Sequence, residues 1–339
     1  MTKFDLEKWF QAQWLGLSFF TLLLLPFSAL FWLIIHTRKL CYKFGLLPSV
    51  ALPVPVIVVG NITVGGTGKT PLVIWLVEAL RSQCYKPAVI SRGFGADIET
   101  VQEVLLESFA SGIGDEPLLI KRRINCPVFV GRNRVNAGLA LLKQYPETDV
   151  LISDDGLQHY ALKRTVEIVV IDGMRGLGNQ FLLPAGPLRE PATRLRRVNA
   201  IVMNDKFSNG LSASYFAASK IINMQLAGDI LVNIRSQHTM PVQQIKNKVI
   251  HAIAGIGNPK RFFNALKKLG LSFEQTAFAD HHHYIASDFA NIEADYVVMT
   301  EKDAVKCSAF AQDNWWYLPV SATVDTDLMD IILEKLQKI

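Results

Sequence analysis

A glycine-rich segment between an apolar run and a helical pattern constrains the fold of this chain more than any other feature. The β-branched run Pro55–Val59 predicts a buried strand, and a helical pattern covers Pro71–Arg81. The segment between them ends in Gly65, Gly66, Thr67, Gly68, Lys69 and Thr70. Glycines let backbone N–H groups wrap around phosphate oxygens, the lysine can reach the terminal phosphates, and the threonine hydroxyl suits Mg²⁺. Strand, loop and helix in this order predict a nucleotide-binding phosphate loop, residues 65–70.

Composition and charge narrow the class of protein and the kind of partner. The chain has 339 residues, 50% of them hydrophobic, which is enough to bury the cores of two domains. Its net charge of +5 favours an anionic partner such as a nucleotide or a phospholipid surface, and its sequence contains no nucleic-acid-binding motif. The four cysteines are far apart and form no CxxC pair. That spacing argues against disulfide and zinc frameworks and favours a reducing compartment.

The N-terminal region contains a long apolar run. Trp14–Ile35 comprises 22 consecutive positions without a charged residue, and a helix of this length extends about 33 Å, enough to cross a bilayer. Arg38, Lys39 and Lys43 follow it, so the positive-inside rule places the rest of the chain in the cytoplasm. A buried core helix is one alternative. A helix that lies in the membrane interface is another, and Pro26 near the middle of the run keeps it open.

From residue 54 onward, predicted strands alternate with helical patterns, which is typical of a parallel sheet covered on both faces. We therefore predict an α/β fold with a parallel sheet core like that of P-loop nucleotide hydrolases, a second, smaller α/β lobe, and a preceding membrane helix. The predicted units are a membrane anchor at 1–36, a phosphate-loop core at 37–220, a hairpin linker at 221–245 and a C-terminal lobe at 246–339. Ligands of such sheets bind beyond the carboxyl ends of the strands.

Two pairs of carboxylates stand where strands end or helices begin. Asp154 and Asp155 follow an apolar run, a pattern typical of the acidic strand that holds Mg²⁺ in phosphate-loop enzymes. Asp115 and Glu116 stand at the start of a helical pattern. There they can cap the helix, or they can serve as a base or as metal ligands facing the phosphate site. Spacing alone leaves these alternatives open.

Three of the seven histidines, His281, His282 and His283, directly follow Asp280. Consecutive side chains cannot all face one metal ion, and no cysteine nearby supports zinc. The cluster can therefore be a surface or metal site, or it can supply a general base or the partner of one. Basic residues after strands and turns suit either a solvated face or an anionic lipid surface.

Together these motifs resemble one family, the tetraacyldisaccharide 4′-kinases, which are the lipid A 4′-kinases of Gram-negative bacteria. The resemblance begins with the N-terminal apolar helix and extends to residue 303, so it covers nearly the whole chain. The motifs that carry it are Val59–Pro71, Ser91–Gly95, Gly114–Pro117, Gly131-Arg132, Asp154–His159, Leu183–Glu190, Asp280–His282 and Thr300–Asp303.

The resemblance implies transfer of the γ-phosphate of ATP, with Mg²⁺, to the 4′-hydroxyl of a glucosamine disaccharide that carries four acyl chains and a 1-phosphate. The product would be lipid IVA, made at the bacterial inner membrane with the catalytic body on the cytoplasmic face. One rival function is a membrane-anchored ATPase switch with a protein partner. A non-catalytic nucleotide-binding scaffold is another rival, and Lys69, Thr70 and the acidic strand end argue against it.

The resemblance also implies a role for each site residue. The catalytic residues would be Lys69 on the phosphates, Asp115 as the base and His281 as its partner. The residues that hold Mg²⁺ would be Thr70, Glu116, Asp154 and Asp155. The residues on the lipid-headgroup side would be Arg92, His159, Arg189 and Glu190.

Overall fold

A computed structural model describes residues 9–10, 13–205 and 219–337 of the chain. The helices are α1 (Phe19–Lys43), α2 (Lys69–Ser82), α3 (Ala110–Ile113), α4 (Asp115–Arg123), α5 (Arg134–Gln144), α6 (Pro259–Lys268), α7 (Glu301–Cys307) and α8 (Asp327–Leu336). The strands are β1 (Val56–Gly60), β2 (Pro87–Ser91), β3 (Gln102–Glu103), β4 (Val128–Val130), β5 (Val150–Asp154), β6 (Val166–Asp172), β7 (Ala200–Asn204), β8 (Lys220–Ala227), β9 (Ile230–Asn233), β10 (Thr239–Pro241), β11 (Ile250–Ala254), β12 (Glu274–Ala277), β13 (Tyr296–Thr300), β14 (Trp315–Leu318) and β15 (Ser321–Val324). Short 3-10 turns lie at Ala192–Arg197, Val242–Ile245 and Ala286–Phe289.

The larger sheet has the strand order β15-β8-β7-β6-β1-β5-β2-β4-β3. β1 pairs in parallel with β5 on one side and β6 on the other, with Val59 opposite Asp154. Every residue of β1, β2 and β5 is buried, as expected for apolar, β-branched strands of a parallel sheet that helices cover on both faces. The carboxyl ends of β1 and β5 therefore meet at one edge, where the phosphate loop begins.

The smaller sheet has the strand order β10-β9-β14-β13-β11-β12. Its central strands β11, β13 and β14 run parallel. The amphipathic helix α6 places Phe262, Phe263 and Leu266 in the apolar cluster of this sheet. The predicted fold class, a parallel core sheet with a second, smaller α/β lobe, is confirmed.

The hairpin predicted over residues 221–245 is wrong, because its two strands pair with different sheets. β8 pairs in parallel with β7 and antiparallel with β15, whereas β9 pairs with β10 and β14 of the smaller sheet. The apolar runs belong to separate cores: β8 buries Ile222 and Met224 in one, and β9 buries Leu231 in the other. The chain thus leaves the larger sheet through β8 and returns to it through β15.

The last helix also departs from the predicted C-terminal lobe at 246–339. α8 places Leu328, Ile331 and Ile332 in the same apolar cluster as Leu72 of α2. Burying a large aliphatic side chain contributes about 1.5–3 kcal/mol, so this amphipathic helix is held firmly on the larger sheet. The smaller lobe is consequently an insertion between β8 and β15.

The predicted N-terminal apolar helix is present as α1. Ser18 caps it by accepting a hydrogen bond from the backbone N–H of Thr21, and Pro26 lies within it. Within the described part of the chain, α1 alone is long and apolar enough to cross a membrane, judged by length and by a mean hydropathy of 2.1. One side of α1 packs on the larger lobe, where the buried Ser28 hydroxyl donates to the carbonyl of Leu182 at 2.8 Å.

Candidate active site

The phosphate loop joins β1 to α2 in the conformation that its glycines allow. Gly65 and Gly68 have φ angles of 99° and 98°, in the left-handed region that favours glycine. A Cβ at Gly68 would also collide with the side-chain amide of Asn204, and that amide donates to the carbonyl of Thr67 at 2.9 Å. The loop is therefore held in place by the end of β7 while the first turn of α2 presents Lys69 and Thr70 beside it.

Asp155 lies at the centre of a group of basic side chains. Its carboxylate is 3.4 Å from Lys69 Nζ and 3.3 Å from Arg189 Nη1, and its carbonyl accepts a hydrogen bond from Arg134 at 3.0 Å. Burial raises the pKa of the Asp155 carboxyl, but the charges of Lys69 and Arg189 outweigh burial and hold the pKa below its usual range. The structure thus brings together three residues predicted from sequence, one each from the loop, the acidic strand end and the headgroup side.

Asp154 is fully buried and carries an oxygen without a partner. Its Oδ2 accepts from the Ser91 hydroxyl at 3.3 Å, while Oδ1 has no hydrogen-bond partner among the described residues. Burial and the nearby charge of Glu116 raise the pKa of this carboxyl well above its usual value. A buried carboxylate with an oxygen left without a hydrogen bond fits a divalent cation, which prefers such oxygens.

The described residues do not complete a metal site by themselves. No three His, Cys, Asp or Glu side chains within the described ranges converge closely enough to hold an ion. A Mg²⁺ ion at Asp154 would therefore complete its shell with nucleotide phosphates and water, as Mg²⁺ commonly does in kinases. The donor set of Asp154, Asp155, Glu116 and the Thr70 hydroxyl is all oxygen and fits this ion.

Asp115 and His281 meet across the two lobes. Asp115 Oδ2 lies 3.0 Å from His281 Nδ1, and Asp115 Oδ1 accepts from the backbone N–H of Glu116 at 2.9 Å. Burial raises the pKa of the Asp115 carboxyl, but the hydrogen bond from His281 and the charge of Lys302 lower it below its usual range. His281 also has a φ of 57°, a conformation uncommon outside glycine and concentrated at functional sites.

Sequence reasoning assigned no role to Lys302, although it holds this pair together. Lys302 Nζ lies 3.1 Å from Glu116 Oε1, 3.3 Å from Asp280 Oδ1 and 3.3 Å from His281 Nε2. An ammonium group has three N–H donors and no acceptor, so Nε2 accepts and the ring proton stands on Nδ1, which donates to Asp115. We name Asp115, Glu116, Asp280, His281 and Lys302 the acid–base cluster.

A local signal for Lys302 was available in the sequence. Burial lowers the pKa of Lys302, but Glu116, Asp115 and Asp280 together raise it above its usual value. Lys302 stands in the first turn of α7, where the helix dipole disfavours a cation. A lysine at such a position indicates that carboxylates nearby offset the cost.

The four residues that the sequence places on the lipid-headgroup side differ in their exposure to solvent. Arg92 is exposed and His159 and Arg189 are half-buried. Burial, followed by the charges of Arg134 and Arg164, lowers the pKa of His159 to about 4. The His159 ring is therefore neutral at pH 7 and surrounded by cations, an arrangement that suits an anionic or hydroxyl-rich ligand.

Glu190 lies beneath this surface, and its contact with a headgroup stays a prediction. Only 1% of it is exposed. Its carboxylate accepts from Tyr160 at 2.5 Å and from Gln158 at 2.9 Å, and it pairs with Lys39 of α1 at 2.6 Å. In this structure Glu190 therefore fixes the N-terminal helix and the loop after β5 to the core.

A cavity of about 340 Å³ opens beside the acid–base cluster. Its lining residues include Phe94, Phe109, Asp115, His281, Tyr284 and Lys306. On the opposite side of the cleft, the smaller lobe covers the phosphate loop, since a Cβ added to Gly257 would lie 2.8 Å from the backbone nitrogen of Gly66. The nucleotide loop and the base thus face one cleft whose walls come from both lobes.

Comparison with known proteins points to one family. The family model described as LpxK, tetraacyldisaccharide-1-P 4′-kinase, matches residues 20–337. A tetraacyldisaccharide 4′-kinase of Methylobacillus flagellatus is 47% identical over 334 residues, which cover 98% of this chain and 97% of that protein. One from a Janthinobacterium species is 46% identical over 344 residues, with 98% and 97% coverage. The crystal structure of LpxK from Aquifex aeolicus in complex with ATP has a TM-score of 0.78 and 30% identity, and it covers 94% of this chain and 99% of that one.

Proposed function

Because the chain belongs to the tetraacyldisaccharide-1-P 4′-kinase family, we propose that Asp115 is the base that activates the acceptor and that Lys69 neutralises the transferred phosphate. The protein is an ATP-dependent kinase of lipid A biosynthesis, and its acceptor is the 4′-hydroxyl of a tetraacyldisaccharide 1-phosphate. The observation that supports the choice of base is the 3.0 Å contact between Asp115 Oδ2 and His281 Nδ1 beside the cavity.

The transfer needs one proton acceptor and several positive charges. Asp115 accepts the proton of the 4′-hydroxyl as the hydroxyl oxygen bonds to the γ-phosphorus of ATP. The bond from that phosphorus to the β–γ bridging oxygen breaks, and its electron pair leaves on ADP. His281 keeps the carboxylate oriented through its Nδ1–H, and Lys69 offsets the negative charge of the phosphates.

We assign a Mg²⁺ site to Thr70, Glu116, Asp154 and Asp155. The unpartnered Oδ1 of the buried Asp154 supports this assignment, and so does the all-oxygen donor set. When bound, the ion would neutralise charge on the phosphate oxygens of the nucleotide. Removal of divalent ions should therefore abolish transfer and leave the fold intact.

We assign binding of the lipid acceptor to Arg92, His159 and Arg189. Glu190 is assigned an indirect role beneath them. Arg189 is 3.3 Å from Asp155, so a headgroup bound there lies next to the phosphate site. Glu190 would contribute by holding Tyr160 and Lys39 in place. We further place the protein at the bacterial inner membrane with its body on the cytoplasmic side, where the apolar face of α1 contacts lipid.

One experiment separates this function from a nucleotide-hydrolysing switch. Purified full-length protein is incubated with radiolabelled ATP, with and without tetraacyldisaccharide 1-phosphate. A kinase transfers label to the lipid, whereas a switch releases labelled phosphate at the same rate in both reactions.

The same assay tests the assigned base. His282→Ala is a matched control for His281→Ala, because His282 pairs with Asp288 of its own lobe at 2.9 Å. Loss of lipid labelling in Asp115→Ala and His281→Ala, but not in His282→Ala, supports the assignment. Equal loss in all three variants would contradict it.

A further inference from the structure

One face of α1 contacts the larger lobe along the whole helix. Half-buried or buried positions recur every three or four residues, the spacing of a single helical face. They include Thr21, Leu24, Leu25, Ser28, Phe31, Ile35, Lys39 and Tyr42. Phe31 also packs against the apolar cluster that contains Leu182 and Leu188. The helix therefore lies against the body over its full length.

The segment that leads directly into α1 is bonded to the loop that follows β6. Trp14 Nε1 donates to the carbonyl of Pro184 at 3.0 Å. The backbone N–H of Asn179 donates to the carbonyl of Trp14 at 2.8 Å, and its side chain donates to that of Gly16 at 3.4 Å. This loop belongs to the same lobe as the phosphate loop.

The C-terminal end is bonded to the same lobe. Lys39 Nζ pairs with the buried Glu190 carboxylate at 2.6 Å. The rings of Tyr42 and Tyr160 lie 5.9 Å apart, and the Ser49 hydroxyl donates to the carbonyl of Tyr160 at 3.0 Å. Both ends of α1 are therefore tied to one globular body.

This geometry conflicts with a helix that crosses the bilayer. A helix of 25 residues is about 37 Å long, which exceeds the hydrocarbon thickness of about 30 Å. If α1 crossed the membrane, the loop around Asn179 would lie on the far side or within the hydrocarbon. Irregular, lipid-exposed backbone is not tolerated there, because its polar groups lack partners.

We infer that α1 lies in the plane of the membrane, with its outer face in the lipid of a single leaflet and both ends on one side. The outer face is strongly apolar, and its exposed large side chains include Leu22, Leu23, Phe27, Leu30, Leu33 and Ile34. Arg38 and Lys43 at the C-terminal end are exposed and suit anionic headgroups. The inference rests on the proposed membrane association and specifies its geometry.

Cysteine accessibility in the full-length chain tests the inference. Cys126 and Cys307 are buried and are retained, while Cys41 and Cys84 are replaced by alanine. Leu17→Cys and Leu46→Cys then place a thiol at either end of α1, at positions 76% and 74% exposed. A variant that keeps the exposed Cys84 marks the side of the body.

A membrane-impermeant maleimide is applied to sealed spheroplasts and to inside-out vesicles, with detergent-solubilised protein as the total. We expect both end thiols to react from the same side as Cys84. Reaction of the Leu17→Cys thiol from the opposite side alone would overturn the inference.

Spin labels on the outer face give a second, independent measurement. Labels are placed at Leu23, Leu30 and Ile34 in liposomes that contain anionic lipid, which attracts basic residues such as those at the end of α1. An in-plane helix places the three labels at similar depths. A crossing helix separates the first from the last by about 16 Å, at 1.5 Å per residue, and that result would overturn the inference.

Flotation of the protein with the same liposomes separates this failure from failure of the proposed membrane association. Protein that floats but has its ends on opposite sides refutes only the in-plane geometry. Protein that does not float, and that sediments as a dimer, would show that a second copy covers the apolar face. That outcome would overturn both proposals.

Discussion

The phosphate loop and the acid–base cluster face the same cleft, but they are built in different ways. The loop consists of six consecutive residues of one lobe, and two of its glycines adopt the backbone angles it requires. The cluster joins Asp115 of the larger lobe to His281 of the smaller lobe, 166 residues away in sequence. The loop is therefore formed within one lobe, whereas the base is complete only when the two lobes meet. Nucleotide binding and catalysis should consequently respond to different mutations.

Breaking the cluster should give the largest effect. Asp115→Ala and His281→Ala should each lower kcat by about 10²–10⁴, the usual contribution of a positioned acid–base group. The KM for ATP should change little, because the loop holds the nucleotide. Since the two residues act as a unit, the double variant should be scarcely worse than the worse single variant. A double-mutant cycle on kcat at saturating lipid measures this, and losses that multiply would mean that the residues act separately.

A substitution in the phosphate loop should affect nucleotide binding as well as turnover. Lys69→Ala should lower kcat by at least about 10², the scale of a lost charge contact in the transition state. It should also weaken ATP binding measured by calorimetry, whereas Asp115→Ala should not. Near-normal turnover in a folded Lys69→Ala protein would remove Lys69 from the catalytic residues.

A substitution at Lys302 tests whether catalysis depends on the contacts within the acid–base cluster or only on the packing of the two lobes. Lys302→Met should lower kcat by about 10-fold or more, since small displacements of catalytic groups are costly. It should also destabilise the fold by about 3–5 kcal/mol, because buried carboxylates lose their counter-charge. Steady-state kinetics and urea unfolding measure the two effects.

Arg123→Met is the matched control for Lys302→Met. Arg123 of α4 pairs with Glu301 of α7 at 3.0 Å, so it joins the same two helices without touching the acid–base cluster. We expect kcat within about 3-fold of the wild type, because the reacting groups stay in place. An equal loss of kcat in the two variants would assign the effect to lobe contact in general.

The smallest expected effect concerns His159, which lies outside both regions. Its pKa is lowered from 6.5 to about 4 in the folded protein, so the unfolded chain binds the proton more readily. The neutral ring therefore stabilises the fold fully above pH 6.5, and this contribution is lost as the pH falls towards 4. The shift corresponds to about 3 kcal/mol, and solvent screening at this half-buried ring reduces it to about 1 kcal/mol.

Thermal unfolding between pH 4 and 7 measures this contribution. The melting temperature of the wild type should fall more steeply below pH 6.5 than that of His159→Gln, which cannot take up the proton. Parallel curves would show that His159 titrates alike in the folded and unfolded states.

Local residue chemistry was sufficient to predict the larger part of the fold and the family. Glycines, a lysine and a threonine between a β-branched run and a helix predict a phosphate loop, and the structure has β1 before this segment and α2 after it. The position of Asp154 and Asp155 near the phosphate loop was predicted because parallel strands bring their carboxyl ends to one edge of a sheet. In the structure, β5 lies beside β1. Alternating strands and helices predicted the parallel sheet for the same reason.

The tertiary structure alone decided which distant residues meet. The run now seen as β8 looked like half of a hairpin, but its antiparallel partner is β15, about a hundred residues later in the chain. Glu190 resembled a ligand of the headgroup, yet it is buried among donors that include Lys39 of α1. Neither pairing could be predicted from the spacing of neighbouring residues, because the two partners come from segments far apart in the chain.

The orientation of the Asp115–His281 pair was decided in the same way. The sequence by itself determined which residue types stand at strand ends and helix starts, and so which of them can bind phosphate or accept a proton. Only the packing of the two lobes places the Lys302 ammonium against His281 Nε2. Because an ammonium group can only donate, Nε2 accepts from Lys302 and the ring proton lies on Nδ1, towards Asp115.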